Sequence, residues 1–242
     1  MSWQRASKSN LIDIYEAETP LKLDKSVAHH AIDVLDRIVS HQVVRPRNMP
    51  IVNSIEATPE ATVTLGFLTP DVASDLFDSL LTHVSWDERM KARKTACFGQ
   101  TYDDSGVDYQ VVTMHPLLVP VCASIEAHLG FRPTNCLLNY YETGRSTMGF
   151  HSDATYNLAE GTGVAILSLG AERSLTFRSK ADSTLLVPFL LPHGSLLYMT
   201  QLTQSFWTHA VKKIETDDAR ISLTFRHILS PSELAQSRTD PE

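Results

Sequence analysis

The chain has 242 residues, 43% of them hydrophobic and 20% charged, with a formal net charge of −7. That composition fits one large globular domain, or a domain with an extension, and excludes a chain too short or too polar to bury its own core. The acidic balance weighs against a strongly basic nucleic-acid binder, because neutralising phosphates takes a basic surface, although local charge can differ from the net.

Residues 1–58 read as an N-terminal extension. Lys25 to Val43 has helical spacing, with Val27, Ala31, Val34, Leu35, Ile38 and Val39 able to share one face. Pro46, Pro50 and Pro59 punctuate the link that follows. A second helix is expected from Thr69-Pro70-Asp71 to about His83. Thr69 supplies a capping oxygen, Pro70 suits the first turn, and Phe77, Leu80 and Leu81 mark the buried face. Arg89, Lys91, Arg93 and Lys94 then form a small basic cluster ahead of the aromatics Phe98 and Tyr102, and read as a solvated loop or helix end. A third helix follows Pro116 through Val121, Ile125 and Leu129 and stops at Gly130.

From Thr134 the texture changes to short apolar or alternating runs. They are Asn135–Tyr141, Val164–Leu169, Ser174–Arg178, Leu185–Leu191, Ser195–Met199, Phe206–Val211 and Arg220–His227. Strands this short, separated by Gly, Pro and Asp, argue for a β-sandwich or barrel in residues 59–229. Ser230 to Glu242 reads as a disordered polar tail. Cys97, Cys122 and Cys136 form no paired framework, which favours a reducing compartment. The polar start lacks a signal-peptide core, and no apolar run reaches membrane-spanning length. The expectation is a soluble cytoplasmic protein, with no membrane association and no obligate protein partner evident.

The chemistry concentrates in His151-Ser152-Asp153, read with His209. Two histidines and a carboxylate are the set that holds non-haem Fe(II) on one face and leaves the other open to oxygen. A lone His-x-Asp is weak, since roughly one arises by chance in such a chain, so order and context must carry it. In Arg220 to Arg226 the side chains alternate, placing Arg220, Ser222, Thr224 and Arg226 on one face and Ile221, Leu223 and Phe225 on the other. An outer, half-exposed strand gives this pattern, and so does a strand whose polar face lines an interior acid-binding site. Asn139 and Tyr141 also share a face, and both can bond a carboxylate or keto oxygen.

Taken together, Asn139-Tyr-Tyr-Glu-Thr-Gly144, His151-Ser-Asp153, His209 and Arg220-Ile-Ser-Leu-Thr-Phe-Arg226 resemble the AlkB-type Fe(II)/2-oxoglutarate dioxygenases, most closely the animal DNA-repair branch. The likeness continues through Gly161-Thr-Gly163, Ser168-Leu-Gly170, Leu175-Thr-Phe-Arg178 and His193-Gly-Ser-Leu-Leu197, and faintly through Arg93 to Gly99. It spans roughly residues 60–229. The resemblance implies an α+β fold built on a double-stranded β-helix, or jelly roll, with bracing helices. It implies His151, Asp153 and His209 as ligands to Fe(II), with 2-oxoglutarate and O2 as co-substrates. Arg220 would pair with the distal carboxylate of 2-oxoglutarate, helped by Asn139 and Tyr141, with Ser222 and Thr224 alongside. Arg226 would brace the co-substrate or the substrate pocket.

One departure bears on the substrate. The repair enzymes typically continue His-x-Asp-Asp-Glu, whereas this chain reads His151-Ser-Asp153-Ala154-Thr155. Two substrate classes therefore stand: an alkylated nucleobase stacked on Phe98, Tyr102 or Tyr109, or a small metabolite in a pocket reshaped by Ala154 and Thr155. A non-catalytic binding module on the same scaffold is a third class, opposed by the complete ligand set.

Overall fold

The structure is a computed structural model, and its described residues are 58–101 and 109–237. The expected helix at Lys25 to Val43 and the aromatic Tyr102 lie outside them. In chain order the elements are β1 (Ala61–Thr64), α1 (Pro70–His83), β2 (Lys94–Gly99), a 3-10 turn (Pro116–Leu118), α2 (Val119–Leu129), β3 (Asn135–Tyr141), β4 (Met148–His151), β5 (Gly163–Gly170), β6 (Arg173–Ser179), β7 (Leu186–Leu191), β8 (Ser195–Thr200), α3 (Gln201–Phe206), β9 (Trp207–Val211), β10 (Arg220–Arg226) and α4 (Pro231–Ser237).

The strands form two antiparallel sheets. The larger runs β1-β8-β5-β10-β3-β2 and the smaller β4-β9-β6-β7. Strand alternation divides the larger sheet into two chemically different faces. Ile221, Leu223 and Phe225 of β10, with Cys136 and Leu138 of β3 and Ala165, Leu167 and Leu169 of β5, pack against Leu76 and Leu80 of α1 and Val121 and Ile125 of α2. The opposite face carries Leu137, Tyr141, Val164, Ile166, Leu197 and Met199, which meet Leu175, Phe177, Leu191, Trp207 and Val211 of the smaller sheet. The helices thus brace one sheet, and the space between the sheets is a second core with a polar centre. Arg220 to Arg226 is buried at every position, so its polar face lines the interior.

Local chemistry explains most boundaries. Pro70 opens α1 at its first turn, but Thr69 makes no side-chain cap bond, contrary to the capping role expected of it. Gly130 ends α2 with φ of 83°, a left-handed conformation that glycine adopts without Cβ strain. The expected structureless tail is corrected over Pro231–Ser237, which form α4. Ser230 and Glu233 close a reciprocal cap there: Ser230 N–H donates to Glu233 Oε2 at 2.8 Å, and Glu233 N–H to Ser230 Oγ at 3.3 Å.

Candidate metal centre and co-substrate pocket

Strand pairing places the two histidines. His151 ends β4 directly opposite His209 of β9, and their rings stand 4.3 Å apart, centre to centre. Gly144 allows the preceding link to close, since a Cβ there would fall 2.1 Å from the Ile214 carbonyl oxygen. Asp153 follows two residues beyond β4. One ligand atom from each of His151, Asp153 and His209 lies within 4.8 Å of the others. Asp153 and His209 are buried while His151 is half-exposed, so the cluster is reached from the His151 side.

The donor set fits a divalent cation. His209 Nε2 stands 3.6 Å from Asp153 Oδ2, beyond hydrogen-bond length. His209 Nδ1 is buried with no hydrogen-bond partner among the described residues. Burial lowers the His209 ring to about 4, only partly opposed by Asp153, so it is neutral and keeps a lone pair for a metal. Burial pushes the Asp153 carboxyl up, but the Arg226 guanidinium that faces and hydrogen-bonds it outweighs this and holds the group well below the usual carboxylate range. His151 Nδ1 lies 2.9 Å from the Gly149 carbonyl. A carbonyl only accepts, so Nδ1 is the donor here and Nε2 is the ring atom left to face a metal.

The same cavity gathers Asn139, Tyr141, Arg220, Ser222, Thr224 and Arg226 around the triad, with Met148, Leu137, Ile166, Leu175 and Val211 as apolar walls. It is narrow, with about 20 Å³ of room. Arg220 is fully buried, donates from Nε to Ser168 Oγ at 3.0 Å, and lies over the Tyr141 ring at 5.3 Å. Its Nη1 has no partner among the described residues. Burial lowers Arg220 to about 10, which leaves it cationic at neutral pH. Arg226, on the wall of the same cavity, donates to Asp153 Oδ1 and, at 3.5 Å, to Asn135 Oδ1, so it braces a member of the triad.

Three contributors escaped the sequence reading. Arg93, expected in a solvated cluster, is buried and donates from Nε to Asn139 Oδ1 at 2.6 Å, leaving the amide nitrogen for a ligand oxygen. Ser168 holds Arg220, and Gln204 holds the backbone of Asp153. The resemblance covers Arg93 faintly and Ser168 within Ser168-Leu-Gly170; Gln204 falls outside it.

The expected substrate residues are not brought to the triad as a group. Phe98 pairs in register with Cys136, on the helix-facing side of the larger sheet, and packs edge-on to His115. This corrects its assignment as a stacking platform at the metal, because the triad lies across the sheet. Tyr109 is buried with its hydroxyl 2.6 Å from Thr95 Oγ1. Phe98 and Tyr109 instead share a cavity of about 430 Å³ around β2. Thr155 is half-buried in the turn after Asp153, its carbonyl accepting from Leu158 N–H.

A jelly roll with a His-x-Asp…His cluster and a buried arginine defines an iron- and 2-oxoglutarate-dependent oxygenase. The sequence pattern of the 2OG-Fe(II) oxygenase superfamily matches residues 60–226, and the chain belongs to that family, whose cofactor is Fe(II) and whose co-substrates are 2-oxoglutarate and O2. Among its relatives is the alpha-ketoglutarate-dependent dioxygenase alkB homolog 3 of Bos taurus, 31% identical over 183 residues, covering 67% of this chain and 64% of that protein. The DNA oxidative demethylase ALKBH2 of Homo sapiens is 34% identical over 146 residues, covering 53% of this chain and 55% of the relative. The chain thus spans just under two thirds of the length of the first of these relatives and about half of the second. The solved structure of OsALKBH1 superposes with a TM-score of 0.56 at 19% identity, covering 70% of this chain and 97% of that one, a likeness of fold. No helix among the described residues is long and apolar enough to cross a membrane.

Proposed function

We propose that this chain is an AlkB-type dioxygenase that oxidatively demethylates an alkylated nucleobase in DNA or RNA, acting in the cytoplasm. The observation that carries the reading is the joint placement of the triad and Arg220 in one cavity, within a stretch that matches an alkB-homolog dioxygenase and a DNA oxidative demethylase. His151, Asp153 and His209 would hold Fe(II), and Arg220 would grip the distal carboxylate of 2-oxoglutarate with its planar fork. Bound iron supplies oxygen activation coupled to decarboxylation of 2-oxoglutarate to succinate and CO2, with oxidation of a C–H bond. The protein's part is to keep Asp153 charged and His209 neutral, to anchor the diacid in one orientation, and to exclude water behind the apolar walls. Hydroxylation of an N-methyl group gives an N-hydroxymethyl product, which loses formaldehyde.

A cationic patch on the outer face of the smaller sheet, opposite the triad cavity and centred on Phe150, favours a nucleic-acid backbone. The Arg178 guanidinium lies 3.9 Å from the Phe150 ring centre and Lys212 Nζ 5.4 Å from it, a local positive surface on an acidic chain. Ala154 favours a second reading, a small-metabolite oxygenase, because it offers no acceptor for an exocyclic amine. Succinate release and substrate mass on an N1-methyladenine oligonucleotide, with Fe(II) and 2-oxoglutarate under air, separate the two. Loss of the methyl group in step with succinate is the expected result. Succinate with an unchanged oligonucleotide sinks the nucleobase reading and moves the substrate to small molecules.

A further inference from the structure

The three ligands of the triad are not held in the same way. His151 and His209 face each other across a strand pair, so the ladder fixes both backbones. Asp153 lies beyond the end of β4, outside any ladder, and is nonetheless only 6% exposed. Its backbone is pinned from across the fold. Gln204 Oε1 accepts the Asp153 backbone N–H at 2.9 Å, and the neighbouring Ser152 Oγ donates to the Trp207 carbonyl at 2.9 Å. Gln204 is itself 4% exposed, and both ends of its side-chain amide are engaged, since Nε2 donates to Met199 Sδ at 2.9 Å. Lys180 Nζ donates to the Gln204 main-chain carbonyl at 2.7 Å, fixing its backbone as well. The turn through α3 therefore touches two ligands at once: Gln204 and Trp207 hold the Asp153 segment, and Trp207 opens the strand that carries His209.

We propose that Gln204, assisted by Ser152, is a positioning residue of the metal centre, setting the Asp153 carboxylate within reach of the two histidine rings. Arg226 holds Oδ1 of that carboxylate but not the backbone that presents it. Without the Gln204 acceptor a buried N–H loses its partner, and the turn relieves this by rotating, which carries the carboxylate away from its place. The inference rests on the Fe(II) reading of the triad and is independent of the organic substrate.

The test is a Co(II) titration of the full-length, metal-free chain, following the visible d–d bands and the dissociation constant, with circular dichroism as the check on folding. Gln204→Leu is expected to weaken Co(II) binding by about 10–100-fold, the usual cost of removing a partner that orients a metal ligand, and to alter the d–d bands. Gln204→Glu, which keeps the acceptor oxygen, is expected to stay within about 3-fold of the parent or bind tighter. A merely structural role would lower stability and leave the affinity and bands of the folded variant unmoved. A folded Gln204→Leu chain with parental affinity therefore overturns the proposal while leaving the iron reading intact. If Gln204→Leu fails to fold, Ser152→Ala decides the matter: weaker Co(II) binding supports the proposal and unchanged binding refutes it. A parent chain that binds no Co(II) overturns the iron reading and the inference with it.

Discussion

Arg220 is the side chain whose surroundings are least complete without a ligand. Among the described residues three arginines are fully buried, and each meets its charge differently. Arg226 is answered by Asp153. Arg173 is wrapped by main-chain carbonyls, with Nη2 2.6 Å from that of Lys212 and 3.0 Å from that of Ser146. Arg220 has a serine hydroxyl and the Tyr141 side chain, and among the described residues no carboxylate. Burying a cation without a partner is costly, so a site that keeps one is built for an arriving anion. Replacing Arg220 with Ala should leave Co(II) binding near parental while raising the KM for 2-oxoglutarate steeply, a loss of about 2–5 kcal/mol. Arg220→Lys should recover part of it, because an ammonium supplies charge without the bidentate fork. Succinate release against 2-oxoglutarate concentration reads both, and a KM indifferent to Arg220→Ala would refute the assignment.

Strand β10 shows how one element serves stability and chemistry at once. Its apolar side enters the helix-braced core and its polar side enters the cavity, so substitutions on the two sides should separate. Leu223→Ala should cost about 2–5 kcal/mol in urea unfolding, as a fully buried leucine facing α1 and α2. Ser222→Ala, on the other side, should cost far less and act on the 2-oxoglutarate KM instead; equal losses from both would contradict the two-faced reading. This strand was legible in the sequence because seven residues of strict alternation carry two arginines at a fixed spacing, and β3, β5 and β8 were legible as apolar runs. Strands β1, β2 and β4 were not. β1 and β4 have four residues each, β4 includes Gly149 and a register shift, and β2 begins on a lysine inside a basic cluster. Their strand character comes from the neighbour they pair with rather than from their own pattern. The cap of α4 was written out as Ser230-Pro-Ser-Glu233 and went unread beneath the polar composition around it. The ligand cavity was legible as residue types in order. Arg93 and Gln204 were not, because the contacts that give them meaning close across 46 and 51 residues.

At the scale of the whole molecule, proton uptake tests how the helix layer is joined to the edge of the larger sheet. His115 sits at that joint. It caps the 3-10 turn by accepting from Leu117 N–H at 3.3 Å, and its ring packs edge-on to Phe98 of β2 at 5.1 Å. Burial, with the nearby His83 adding to it, lowers His115 to about 4 from an ordinary 6.5. The unfolded chain therefore binds this proton more readily than the folded one. Stability is complete above pH 6.5, drains as pH falls toward 4, and levels off below that, with a slope of up to about 1.4 kcal/mol per pH unit. Protonation also removes the lone pair that accepts from Leu117, so the cap and the packing weaken together. The global charge works the other way: a chain at −7 loses self-repulsion as it gains protons. The local term should prevail, because the net charge is spread over the surface and screened by salt, whereas His115 is desolvated. Urea midpoints of the metal-free chain at pH 7 and pH 5, in 0.15 M salt, measure the outcome. The parent should be less stable at pH 5. His115→Asn, which keeps an oxygen to accept from Leu117 and cannot titrate, should show a markedly shallower decline. A parent whose stability is flat or rising over that interval would show that His115 is open enough to water to keep its ordinary affinity for a proton.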